Sequence, residues 1–250
     1  MDDPSTLLLL ALFGVAFVAS MVDAIAGGGG LMVMPALLLA GVPPLQALGT
    51  NKFQGLFGTG SATVTFWRKG YIDLKRDGLV ALGCFAASVT GALVAAQIPS
   101  EWLATAMPLV LIGIAIYFVL QPDLDRTDRI ARVGPLVIGA VFIPIAGFYD
   151  GIFGPGTGSI MMLILVALAG FSVVQATART KLFNFASNIG GFVGFVIVGA
   201  VIWKIGLVMA LGQIAGGTLG ARLAVRGGAR LIRPVLVTVC IAMALRLYFA

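Results

Sequence analysis

Two long apolar stretches of this chain are each interrupted by an acidic residue and a run of glycines, in one shared pattern. Residues 23–29 read Asp23-Ala-Ile25-Ala-Gly27-Gly-Gly29, and residues 150–156 read Asp150-Gly-Ile152-Phe-Gly154-Pro-Gly156; both are Asp-x-Ile-x-Gly-x-Gly. Glycine and a carboxylate weaken a helix and leave polar groups that lipid cannot satisfy. A chain that carries both copies must bury them against something polar, and that demand limits its folds more than any other feature.

The surroundings are lipid-like. Hydrophobic residues make up 60% of the chain and charged residues only 10%, with a mean hydropathy of +1.07. A water-soluble domain carries more charge, so the composition predicts an all-α polytopic membrane protein. About ten apolar segments are legible, near 6–25, 31–42, 52–67, 78–97, 103–120, 133–149, 157–171, 181–199, 204–225 and 231–249. The second is too short to span and the seventh is marginal, and each follows a motif copy. The breaks therefore read either as re-entrant hairpins or as interrupted spanning helices. The first segment carries a motif copy and no basic leader precedes it, so it reads as a retained helix rather than a signal peptide.

Basic residues set the orientation. Those in the loops 68–77, 121–132 and 222–234 place these loops in the cytoplasm and both termini outside. The net charge of +6 sits mostly in such loops, so it reads as topology and not as nucleic-acid binding. The chain has no histidine, which excludes His metal sites and Ser-His or Cys-His catalysis. Cys84 and Cys240 lie in separate apolar segments and read as small buried hydrophobes. No Walker-type loop is present, so ATP does not drive the chain directly.

The two halves match beyond the motif. Gln46-Ala47-x-x-x-x-Lys52 recurs as Gln175-Ala176-x-x-x-x-Lys181, and Lys75 matches Lys204, with one offset of about 129 residues. The Asp motif is two residues out of step. Each half holds an odd number of segments, and the loop charge is redistributed between the halves. Both facts predict two inverted repeats, 1–120 and 133–250, joined by a cytoplasmic linker, 121–132.

Three sets of residues can carry chemistry. Asp23 and Asp150, at opposed breaks, can meet near the midplane as proton-coupling or gating acids; equally, they can satisfy backbone N–H groups at a helix start. Gly28, Gly29 and Gly30, with Gly156, Thr157 and Ser159 in the second copy, put backbone N–H groups at helix starts that suit an anion. Thr50-Asn51-Lys52 and Arg179-Thr180-Lys181 each read as opening a segment, with Thr50, Asn51 and Thr180 as candidate N-caps. That reading puts Lys52 outside and Lys181 inside. A lysine kept in both orientations fits an anion ligand better than a topology signal, with Arg179 as a further cation. Gln54, Asn184 and Asn188 follow on the same segments, the two asparagines on one helical face. Gly55, Gly58, Gly60, Gly190, Gly191 and Gly194 read as close helix packing.

At these residues the chain resembles a known family. Val22-Asp23-Ala-Ile-Ala-Gly27-Gly-Gly-Gly30-Leu, Pro35 and Gly41-Val-Pro-Pro-Leu-Gln46-Ala47-Leu-Gly49-Thr50-Asn51-Lys52 are similar to the TauE/SafE sulfite exporter-like permeases, over nearly the whole chain. The resemblance implies a bacterial or archaeal inner-membrane transporter for sulfite, sulfoacetate or a related sulfonate. No cofactor and no nucleic-acid partner is expected. The second motif copy departs from the first, with Pro155 and Thr157 where the first has Gly28 and Gly30. The competing expectations are a passive anion channel and an intramembrane aspartyl protease. The protease needs two acids sharing one site, and the Gly-x-Gly-Asp order expected for its second acid is missing.

Overall fold

The structure, a computed structural model, describes residues 4–120 and 131–226. Part of the expected linker, the segment 231–249 and Cys240 lie outside the described residues. Every regular element among the described residues is helical.

Helix α1, Thr6–Ala26, opens on Ser5, whose hydroxyl accepts from the Leu8 N–H. It ends at Gly27 in the left-handed region, φ +81°, which glycine adopts without a Cβ clash. After a short break α2, Gly30–Leu39, begins. Pro44, at the first turn of α3, Pro44–Arg68, is pre-set for the helix. Helix α4, Leu74–Ala95, is capped by Asp73, which accepts from the Lys75 N–H at 2.9 Å. Helix α5 is Ser100–Leu120.

The second half begins with α6, Pro135–Val137, which runs through a π-helical turn, Ile138–Phe142, into α7, Ile143–Ile152. Pro144 explains the wide turn. Its ring lacks an N–H and would crowd the preceding turn of a regular α-helix. Helix α8, Thr157–Leu163, continues as a second π turn, Ile164–Leu168. Helix α9, Val173–Ile197, is capped by Ser172, and α10 is Trp203–Val225.

Four of these, α1, α4, the 135–152 rod and α10, are long and apolar enough to cross a bilayer. The ten-residue α2 would rise only about 15 Å, half of a hydrocarbon core. Helices α3 and α9 have 25 residues each and hold most of the buried polar side chains, so apolar length does not single them out. Leu79, Leu136 and Leu211 are among the exposed apolar side chains of the outer helices, while Lys52 and Lys181 rank among the most buried side chains of all. That inside-out distribution suits a lipid solvent.

Helices α3 and α9 pack on each other at the centre. Around them α1 packs on α10 and α4 on α7, while α10 also packs on α3 and α4 on α9. Glycines make these approaches close: a Cβ on Gly216 or Gly220 of α10 would run into carbonyls of α1, and one on Gly147 would meet Cys84 on α4. Cys84 is fully buried, as expected of a small hydrophobe. The two breaks meet. A Cβ on Gly27 would lie 2.5 Å from the carbonyl carbon of Gly158, and one on Gly30 would lie 3.1 Å from Cα of Pro155.

Candidate functional site

Asp23 sits in the last turn of α1, and its carboxylate bridges the break. Oδ1 accepts from the N–H of Gly29, at the threshold of α2, at 3.1 Å. It thereby satisfies a helix-start donor, as a cap would. Oδ2 accepts from Nζ of Lys181 at 2.9 Å, and that ammonium also donates to the Asp23 main-chain carbonyl. Asp150 occupies the last turn of α7. Its Oδ2 lies 2.8 Å from Nζ of Lys52 and accepts from the Ser187 hydroxyl at 2.6 Å.

The two motif acids therefore do not pair with each other. Each holds the lysine of the opposite half: Asp23 with Lys181, and Asp150 with Lys52. Both lysine side chains are 1% exposed; Asp150 is 3% exposed and Asp23 15%. The aliphatic stem of Lys52 crosses Gly191, where a Cβ would lie 3.0 Å from its Cδ. Gly191 is thus not mere helix packing, because it makes room for the ion pair.

The lysines do not open their helices. Lys52 and Lys181 are each the ninth residue of a 25-residue helix, about 12 Å along its axis. Pro44 and Ser172 start the helices two turns earlier than the apolar pattern suggests. Thr50, Asn51 and Thr180 are consequently interior residues and not N-caps. Thr50 Oγ1 instead accepts from the N–H of Ile202 at 3.0 Å, tying α3 to the start of α10. Thr180 Oγ1 is buried without a hydrogen-bond partner.

Between the breaks lies a small, partly open cavity of about 40 Å³. Asp23, Asp150 and Lys52 line it, with Gly27, Gly29 and Gly30 from one break and Gly154, Gly156 and Gly158 from the other. Five amides complete the wall: Asn51, Gln54, Asn184, Asn188 and Gln213. Asn188 Nδ2 donates to both the main-chain and side-chain oxygens of Asn184, at 2.8 Å each. Gln54 Nε2 donates to the Asn51 carbonyl at 3.1 Å and to Asn51 Oδ1 at 2.9 Å, leaving Gln54 Oε1 buried without a partner.

Several expected residues stand off the wall. Lys181 lies behind Asp23, and Gly28, Thr50, Thr157 and Ser159 are not on the lining. Thr157 Oγ1 turns back to the Gly154 carbonyl at 2.8 Å. Arg179 belongs to a separate cluster. Its Nε lies 3.1 Å from Oδ2 of Asp77, and its guanidinium sits 4.1 Å over the Phe171 ring, which Arg76 approaches as well. Gln213, Thr59, Ser187 and Asp77 were not singled out from sequence. Gln213 had a usable signal, as a lone amide in an apolar helix; Asp77 was hidden among the basic residues around it.

Comparison with known proteins points to a membrane transporter. The family described as Sulfite exporter TauE/SafE matches residues 12–247. "Probable membrane transporter protein ORF9" of a Sinorhizobium species is 51% identical over 99% of this chain and 95% of its own. A "Probable membrane transporter protein" of Haemophilus influenzae is 43% identical over 97% of this chain and 95% of its own. "Probable membrane transporter protein YfcA" of Escherichia coli K12 is 42% identical over 98% of this chain and 91% of its own. No solved structure matches.

Proposed function

We propose, for a chain that belongs to the TauE/SafE sulfite exporter family, a secondary transporter of a small oxyanion of the sulfite or organosulfonate class. Family and relatives make it a membrane transporter and not an enzyme. The observation that carries the finer reading is the crossed pair of ion pairs around the cavity. Each joins one half to the other, so relative motion of the halves must stretch or exchange both.

In this reading an entering anion competes with a carboxylate for its lysine. Lys52 lies on the cavity wall and meets the anion first; Lys181 follows when Asp23 releases it. Backbone N–H groups at the starts of α2 and α8 and the Asn51 and Asn184 amides supply further donors. Thr50, Thr157 and Ser159 hold the frame behind them. A freed Asp23 or Asp150 takes a proton, which couples the step to a proton gradient. Arg179, tied to Asp77, steadies the cytoplasmic end and does not touch the anion.

The halves act as inverted repeats, one rocking against the other. Helices α3 and α9 have equal length and start 129 residues apart. Exchanging α1 with the α6–α7 rod, and α4 with α10, maps the α1–α10 contact onto α7–α4 and the α3–α10 contact onto α9–α4. The protein then sits in the inner membrane with loops 68–77, 121–132 and 222–234 in the cytoplasm.

Counterflow of labelled sulfite and sulfoacetate in proteoliposomes tests this. Saturable, trans-stimulated uptake is expected, and it falls at least tenfold in Lys52→Met and Lys181→Met. Unchanged flux in both variants overturns the ligand role. Unsaturable flux without trans-stimulation points to a passive channel.

A further inference from the structure

We infer that the same cavity holds a small monovalent alkali cation beside the anion, with Gln54 Oε1 and the Asp23 carboxylate among its ligands. The inference rests on the transporter reading and adds a second bound species to it.

The starting observation is the orphan acceptor. Gln54 is 2% exposed and lines the cavity, yet its Oε1 has no donor. The amide is not free to turn over. Its Nε2 is held by the Asn51 main-chain carbonyl at 3.1 Å, a group that can only accept. Turning the amide would set two carbonyl oxygens against each other. The oxygen of this cavity-lining side chain is therefore left requiring a donor or a cation.

The rest of the wall has the same polarity. Asp23 is the most exposed member of the two ion pairs, and its carboxylate keeps acceptor capacity after Gly29 and Lys181 are served. Thr59 Oγ1 donates to the Gly55 carbonyl and keeps its lone pairs. Helix α1 ends at Gly27 on this wall, so the negative end of its dipole opens onto the cavity. The lining carries two carboxylates against one ammonium, Lys52, and that ammonium already serves Asp150.

Charge decides the valence. With Lys181 included, the four ionised groups at the breaks sum to zero, so an anion arriving while both carboxylates stay ionised leaves an uncompensated buried charge. In that state one monovalent cation balances a monoanion. The cation site is single. The residue 129 positions beyond Gln54 is Phe183, whose buried ring offers no oxygen.

The test is the thermal midpoint of the detergent-purified full chain in NaCl, KCl and LiCl against N-methylglucamine chloride at equal pH and ionic strength. At saturating concentration one of the alkali cations is expected to raise the midpoint by roughly 5–10 °C. Gln54→Leu loses that rise, whereas Gln54→Glu, which keeps an oxygen at that position, retains it. Equal midpoints in all four salts, or a rise that Gln54→Leu retains, overturn the site. If Gln54→Leu does not fold, loss of the rise in Gln54→Glu is the refuting result. The counterflow assay separates the two readings: anion exchange without any cation effect removes the cation site and leaves the transporter, and a Gln54-dependent cation effect without flux does the reverse.

Discussion

Replacing Lys52 with methionine removes an ammonium and keeps most of the stem that lies across Gly191. At the observed 2.8 Å, and at an effective dielectric constant of about 20, the Coulomb attraction to Asp150 is about 6 kcal/mol. Desolvation of two fully buried ions offsets most of it, so the intact pair contributes little net stability. The single variant behaves differently, because Asp150 then keeps only the Ser187 hydroxyl as a partner. An uncompensated buried charge costs about 3–5 kcal/mol, which in a chain of this size lowers the midpoint by roughly 6–20 °C. The double variant Lys52→Met/Asp150→Leu removes both charges and is expected to recover to within about 1.5 kcal/mol of the parent. Equilibrium unfolding in mixed micelles across the four-member cycle measures the coupling, expected at about 4.5 kcal/mol or more. A double variant as destabilised as the two singles summed would refute the ion pair as the source of the loss.

Gly158→Ala should push the two breaks apart, since its Cβ would lie 2.8 Å from Cα and O of Gly27; a loss of about 1–3 kcal/mol is expected by thermal denaturation. Thr180→Val should act in the opposite direction. It replaces a buried, unpartnered hydroxyl with a methyl of the same shape, so the midpoint should hold or rise by up to about 1 kcal/mol equivalent. If flux falls while stability holds, that hydroxyl serves the transported ion.

The legible part of the site is the part written in scarce residues. Aspartate, lysine and amides stand out against an apolar chain, and their recurrence marks both breaks and both lysines. The partnership was not legible, because a repeat equates Asp23 with Asp150 and Lys52 with Lys181 but says nothing about which acid meets which base. The helix starts were misplaced for a related reason. The polar run ending at Lys52 looks like a loop to a hydropathy window, yet it is the buried wall of a cavity, and Pro44 had already set the helix. The sequence marks Gly191 only as a packing glycine, since its role depends on a lysine from the other half. Asp77 was invisible because its partner, Arg179, is 102 residues away.

The crossing of the ion pairs also has a consequence for how the protein is made. Lys52 leaves the ribosome 98 residues before its acid, and Asp23 leaves 158 residues before its base. At about 5–20 residues per second these waits are roughly 5–20 s and 8–32 s. For that time the first half of the newborn chain carries one acid and one base that have no counter-ion of their own design. The arrival of α7 and α9 is the event that gives each of them its native counter-ion.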